Sequence, residues 1–301
     1  MKIKDRQEKF LFYENDIPFI SNTTYSDGLC DYIPNDLFVH WHEDVEILYY
    51  KKGGGYVYVD GEIIEPQAGD VIIVNPMEIH SILWGDNLFE YTYSIVSPKM
   101  FASSDVDIFS KIWDAWVKKE HLFTHCIRGD DEVRDLIESI IKEKEEKNVG
   151  YEMMIKGKLH ILLGILMRRY EVAESKKANS SQVYRSERIK DVFRFVEDNY
   201  SAPISSKTLA DKYGVCEEHF CRLFRKITQM SPKEYITKYR IMKAEQLLIS
   251  TNIGMTEISE KVGFVDANYF SRVFKKINGL SPMKFRKRNN NDLQKFSIYE
   301  K

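Results

Sequence analysis

The sequence predicts an α+β multidomain chain: a β-rich barrel or sandwich first, connecting helices next, and an all-α part last. Three observations predict this class. Short strand-like runs with turn punctuation fill the stretch from about Asp36 to Pro98, and helical spacing takes over after about Asp130. Charge divides along the chain: residues 1–181 carry 21 Lys+Arg against 32 Asp+Glu, a net of −11, and residues 182–301 carry 23 against 14, a net of +9. A pattern of sixteen residues also recurs at an offset of 50 within the basic part.

Length and composition bound the reading. At 301 residues the chain has room for two domains, and 43% hydrophobic with 30% charged residues excludes a disordered or fibrous protein. No apolar run approaches the ~18 residues of a membrane span, so no membrane partner is expected. Met1 to Lys9 is charged and leads into no apolar segment, which argues against a secretory leader. Cys30, Cys126, Cys216 and Cys221 have no disulfide-scaffold or CxxC spacing, in keeping with a reducing cytoplasm.

The strand-like runs are Glu46 to Tyr50, Tyr56 to Asp60, Val71 to Val74 and Phe89 to Val96, each β-branched or aromatic. Gly53-Gly54-Gly55, Asp60-Gly61, Gly69-Asp70 and Asn75-Pro76 punctuate them, and Asp60-Gly61 can supply the positive φ angles of a tight hairpin. These features place a β domain over residues 1–128. A connector over 129–174 follows, with Val133, Leu136, Ile137, Ile140 and Ile141 on one helical stripe and a second apolar run from Leu159 to Met167. Two such helices suit packing on the β domain or on a second subunit, which predicts a homodimer. Residues 175–184 are polar and aperiodic and read as a linker; 289–301 read as a polar tail.

The repeat lies in the domain expected over 185–288. Residues 220–235 (FCRLFRKITQMSPKEY) and 270–285 (FSRVFKKINGLSPMKF) share seven of sixteen positions. Each copy reads as a short helix, a turn at Gly214 or Gly263, a second helix, and a Ser-Pro that opens another helix. Ser231-Pro232-Lys233-Glu234 is a capping-box start for a helix from Pro232 to Ser250. Phe220/Phe224 and Phe270/Phe274, four apart, give each second helix an apolar back, and Arg and Lys lie in front. That is the pattern of a major-groove reader. A 19-residue connecting helix spans ~28 Å, against a groove repeat of ~34 Å, so two readers on one chain can enter successive grooves.

These residues resemble the DNA-binding domain of the AraC/XylS family of bacterial transcriptional regulators. The resemblance rests on Ile258, Gly263-Phe264, Asn268-Tyr269-Phe270, Arg272, Phe274-Lys275-Lys276, Gly279, Ser281-Pro282 and Phe285-Arg286, and covers about a third of the chain. It implies double-stranded DNA as partner, with base-facing positions at Glu218, Cys221 and Arg222 in the first reader and Ala267, Asn268, Ser271 and Arg272 in the second. Arg222 and Arg272 suit guanine and Asn268 suits adenine. Arg225, Lys226, Lys275 and Lys276 complete the basic faces, and the lysines suit phosphates. Two departures stand out: Gln229 replaces the glycine of the second copy, and Glu217-Glu218 open the first reading helix. Those carboxylates either accept from cytosine or only complement the helix dipole. RNA polymerase is a further partner if the protein activates.

In the acidic part, His40-x-His42-x3-Glu46-x6-Gly53 and Gly69-Asp70-x4-Asn75-Pro76-x3-His80 resemble the two motifs of the cupin barrels. The resemblance implies a cupin-like N-terminal sensor barrel. It leaves two roles for His40, His42, Glu46 and His80: ligands of a divalent metal, or contacts to a small-molecule effector with no cofactor required. On a strand, His40, His42 and Glu46 share one face, and three imidazoles with a carboxylate make a competent divalent site. Trp41, Tyr49, Tyr56, Tyr58, Trp84 and Tyr93 can stack on a sugar or another planar ligand, or serve as core. His121, His125, His160 and His219 have no partner motif. The reading is a ligand-responsive DNA-binding regulator without catalytic residues; the alternative is a metal-dependent cupin enzyme with a DNA-binding appendage.

Overall fold

The computed structural model describes residues 19–25, 39–83, 88–97, 100, 116, 122–172 and 180–288. Cys30, Trp84, His121, residues 175–179 of the expected linker and the expected tail 289–301 lie outside them. The chain divides into two compact units, and the main-chain change falls between Glu187 and Arg188.

The first unit holds two antiparallel sheets. The larger runs β1 (Phe19–Tyr25), β7 (Glu90–Val96), β2 (Val45–Lys52), β5 (Val71–Val74), β8 (Cys126–Ile127) in spatial order; the smaller runs β4 (Glu62–Ile64), β3 (Tyr56–Val59), β6 (His80–Leu83). Asp60 and Gly61, both at positive φ, turn β3 into β4. The two-residue period of β2 sorts its side chains between two environments. Val45, Ile47 and Tyr49 join Val71, Ile73 and Val96 in a core with helix α1 (Asp131–Glu146) and helix α2 (Tyr151–Arg169). Val133, Ile137, Ile140 and Ile141 of α1 and Ile155, Leu159, Leu162 and Leu166 of α2 fill that core, so the connector helices cover the outer face of the larger sheet. Glu46, Leu48 and Tyr50 take the opposite face, with Val74 and Ile72 on one flank and Ile95, Tyr93 and Tyr91 on the other. In the smaller sheet, buried Val57 and Val59 stand opposite Ile82 and His80.

Strands β1, β4 and β6 were not signalled by the sequence: Phe19–Tyr25 is largely polar, and the other two are three and four residues long. The register also decides between the two roles for some of the aromatic residues, and places Tyr49 in the core. Tyr49 points outward and its hydroxyl donates to Glu138 on α1, and Tyr56 is exposed.

The second unit is helical: it begins within α3 (Ser180–Asn199), at Arg188, and holds α4 (Ser206–Tyr213), α5 (Glu217–Thr228), α6 (Pro232–Ser250), α7 (Met255–Lys261) and α8 (Ala267–Asn278), with a further helical segment at 282–288. Helix α3 already begins at Ser180, so the end of the stretch read as linker, 180–184, is helical. Polar residues there masked a helix whose stripe of Ile189, Val192, Phe193 and Val196 is buried further along.

Candidate nucleic-acid interface and buried histidine centre

Each reading helix is positioned by its own turn and aromatic anchors. In the first copy, the Ser205 hydroxyl accepts from the Thr208 backbone N–H to start α4, and Gly214 ends it at φ 80°. Phe220 and Phe224 of α5 are fully buried, and their rings pack with Tyr213, Phe193 and Tyr235. In the second copy, Gly263 lies at φ 88°, and a Cβ there would stand 2.5 Å from the carbonyl oxygen of Ser201. Only glycine meets both the conformation and the close approach. The Asp266 carboxylate accepts from the Asn268 backbone N–H to start α8, whose Phe270 and Phe274 sink into a core with Ile241, Ala244, Leu248, Ile258 and Phe264.

Helix α6 serves both copies. Ser231 and Glu234 complete the capping box around Pro232. Its first half gives Tyr235 to the first aromatic cluster, and its second half gives Ile241, Ala244 and Leu248 to the second core. Gln229 adopts φ 56° where Gly279 adopts φ 68°, so the glutamine fills the same left-handed helix stop at some cost in strain.

With the phenylalanines buried, the opposite faces are open. Glu218, Arg222, Arg225 and Lys226 are exposed on α5 and Cys221 is half-buried; Asn268, Arg272, Lys275 and Lys276 are exposed on α8, with Ala267 and Ser271 half-buried. The offset of 50 pairs Glu218 with Asn268, Cys221 with Ser271, Arg222 with Arg272, and the two basic pairs after them. The Arg222 guanidinium donates to His219 Nδ1 at 3.3 Å, and Arg272 lies over the ring of Tyr269. His219 and Tyr269 thus each contact one of these two arginines. A groove of about 810 Å³ beside α8 is lined by Ser205, Ser206, Lys233, Arg240, Tyr269 and Arg272, among others.

In the first unit the four residues of the histidine motifs converge. His40 and His80 exchange backbone hydrogen bonds of 3.0 and 2.9 Å as an isolated bridge, which brings the loop before β2 to the start of β6. The potential ligand atoms of His40, His42, Glu46 and His80 lie within 4.8 Å of one another, and all four residues are buried. His42 Nε2 is 3.4 Å and His80 Nε2 2.8 Å from the same oxygen, Glu46 Oε2. His42 Nδ1 contacts the Asp44 carbonyl and His80 Nδ1 the Glu78 carbonyl, each at 2.9 Å. A carbonyl only accepts, so both Nδ1 atoms carry protons and both Nε2 atoms face the centre.

The electrostatics of the centre are unbalanced at His80. Burial works to raise the Glu46 carboxyl, but the hydrogen bonds and charges of His42 and His80 outweigh it and hold Glu46 ionised far below the usual range. Burial also opposes a charge on His42, yet Glu46 lifts it above its ordinary value. For His80, burial and the neighbouring His40 prevail and hold it down at about 4, which makes it neutral at physiological pH. The buried His80 Nε2 faces the Glu46 carboxylate oxygen at 2.8 Å. The separation is that of an ordinary hydrogen-bonded pair, and the same two atoms could share a cation. The donor set, three imidazoles and one carboxylate, fits a divalent transition ion.

His125, which stood alone in the sequence, joins Glu62 at 2.8 Å and buried Glu78 at 3.1 Å. Burial opposes its charge, but the two carboxylates push His125 up to about 10. Glu78 also accepts from the Asn75 backbone and side-chain amides, so this charged network braces the segment that delivers His80. Its members are 16 and 47 residues apart in sequence, beyond the reach of any local pattern.

Comparison with known proteins agrees with both halves. A family model described as a helix-turn-helix domain matches residues 209–288, and one described as an AraC-like ligand binding domain matches residues 26–163. The HTH-type transcriptional regulator YdeC of Bacillus subtilis is 23% identical over 274 residues, spanning 89% of this chain and 90% of its own. The Msm operon regulatory protein of Streptococcus mutans is 25% identical over 237 residues, or 78% and 81% of the two chains. The lactose operon transcription activator of Staphylococcus xylosus is 31% identical over 168 residues, 54% of this chain and 58% of that protein. A ligand-binding β domain joined to a duplicated helix-turn-helix reader makes this chain an AraC-family transcriptional regulator.

Proposed function

We propose that this regulator reads an asymmetric DNA site through two like faces and that a small-molecule effector in the N-terminal unit sets its affinity for that site. The reading faces are Glu218, Cys221, Arg222, Arg225 and Lys226 on α5, and Ala267, Asn268, Ser271, Arg272, Lys275 and Lys276 on α8. The observation that carries this is their matched exposure at one offset, over buried phenylalanines that match in turn. Arginine and asparagine read base edges, and the lysines hold phosphates in successive grooves. The effector acts only by binding one arrangement of sensor and reader better than another.

In the sensor, His40, His42, Glu46 and His80 hold a divalent metal ion, a reading supported by the convergence of their buried ligand atoms within 4.8 Å of one another. The ion supplies a Lewis-acid anchor for an oxygen atom of the effector. The protein's part is to fix the imidazoles through the Asp44 and Glu78 carbonyls and to keep water from the buried cluster. The effector belongs to the sugar class, a choice supported by the name of the Staphylococcus xylosus relative. The regulator works as a homodimer through α2, whose Met153 and Ile161 are exposed apolar residues at 80% and 58%. It acts in the cytoplasm, with RNA polymerase as partner where it activates. No described helix is long and apolar enough to cross a membrane.

The test is footprinting at the native locus with and without candidate sugars and divalent ions. Protection that shifts with one sugar supports effector control; protection indifferent to every small molecule contradicts it. A second reading, a metal-dependent enzyme with a DNA-binding appendage, draws on the same centre and predicts turnover that His42→Ala abolishes.

A further inference from the structure

We propose that Tyr50 is a recognition residue of the histidine centre, donating its hydroxyl hydrogen to an oxygen atom of the small molecule that binds at the ion. The inference rests on the metal reading above and goes on to name the side chain that selects what joins the ion. Tyr50 follows Glu46 by four residues on β2, on the same side of the strand, while Tyr49 and Ile47 pack outward against the connector helices. Its ring stacks on Tyr91, its cross-strand partner, with centroids 5.2 Å apart, which restrains the direction of the hydroxyl.

Tyr50 is completely buried, and its hydroxyl oxygen has no hydrogen-bond partner. Folded proteins seldom leave such a group unmade, because the buried hydroxyl has given up water and gained nothing in return. Tyr93, on the neighbouring strand, has what Tyr50 lacks: its hydroxyl accepts from the Asn22 amide at 3.1 Å. The interior around Tyr50 also keeps the phenol protonated, because burial and the nearby Glu46 charge both push its ionisation upward. A protonated phenol close to an ionised carboxylate, yet not bonded to it, is a donor in search of an oxygen. A divalent ion held by these four side chains would also accept an exogenous oxygen ligand, and that oxygen would supply the acceptor. The class of ligand selected is thus a small oxygen donor, a carboxylate or hydroxylated compound.

The test uses full-length protein loaded with Co(II) and titrated with acetate as the oxygen-donor probe, followed by the cobalt visible spectrum. Tyr50→Phe removes only the hydroxyl and keeps the ring on Tyr91. Tyr49→Phe, which loses an outward hydroxyl, serves as control. The expected result is one Co(II) per chain in all three proteins, acetate affinity unchanged in Tyr49→Phe and about tenfold or more weaker in Tyr50→Phe. Equal acetate affinity in wild type and Tyr50→Phe, or no acetate response in the wild type, overturns the role of Tyr50 and leaves the metal reading standing. Wild-type protein that holds no Co(II) overturns the metal reading and this inference together.

Discussion

Glu46 and His80 meet across the two sheets of the N-terminal unit, carboxylate oxygen to imidazole Nε2 at 2.8 Å, with the His80 proton committed to the Glu78 carbonyl on the ring's other side. A divalent ion in the cluster would be held by both atoms. Glu46→Gln and His80→Ala are therefore expected to lower divalent-ion affinity by more than about 100-fold, beyond the usual loss for an outer-sphere partner. Isothermal titration with Zn(II) measures this, and the chelated wild-type protein should melt below the loaded one.

Gly263 at φ 88° lies against the Ser201 carbonyl. Gly263→Ala adds both left-handed strain and a clash, and should destabilise the C-terminal unit by about 2–4 kcal/mol. Urea unfolding followed by a probe in that unit checks the figure; a loss under about 0.5 kcal/mol would mean that the turn is not tight.

Glu245 is buried on α6, and burial pushes its carboxyl up to about 7 against the partial relief of the neighbouring Asn278 amide. A raised folded value means that the folded state keeps a proton which the unfolded chain has lost. Stability is then greatest below about pH 4.5 and falls as pH rises toward 7. Glu245→Gln should match wild type near pH 4.5 and exceed it at pH 8 by about 1–3 kcal/mol. Thermal melts at the two pH values decide; parallel curves for the two proteins would rule out a buried titrating carboxyl.

Lys276 is exposed on α8 behind the base-facing residues. Lys276→Ala should weaken binding about equally on all sequences and reduce the salt slope of log K by about 1. Fluorescence anisotropy over a salt series separates this from a loss at one base position.

Much of this was legible because it is local. The capping box of Ser231 and Glu234 and the outward face of α5 follow from residues within four positions of one another, and the repeat is read directly from the sequence at its offset of 50. The strands around Glu46 and Val71 followed from β-branched and aromatic runs and turn residues in the same way. The histidine motif predicted which residues meet, even though His80 sits off the expected spacing, because the His40 bridge pulls it into place. What escaped was set by tertiary pairing. The polar β1 is a strand through its pairing with β7, and His125 finds carboxylates on β4 and on the segment before β6. Whether Tyr49 or Tyr50 faces inward turns on a one-residue register that composition does not specify.

The most direct measurement is a base-resolved footprint of the wild type, Arg222→Ala and Arg272→Ala on one operator. Two protected major-groove patches about one helical turn apart are expected, with each substitution costing about 1–3 kcal/mol at base positions in a different patch. If both variants give the wild-type footprint and affinity, the faces of α5 and α8 are not the readers.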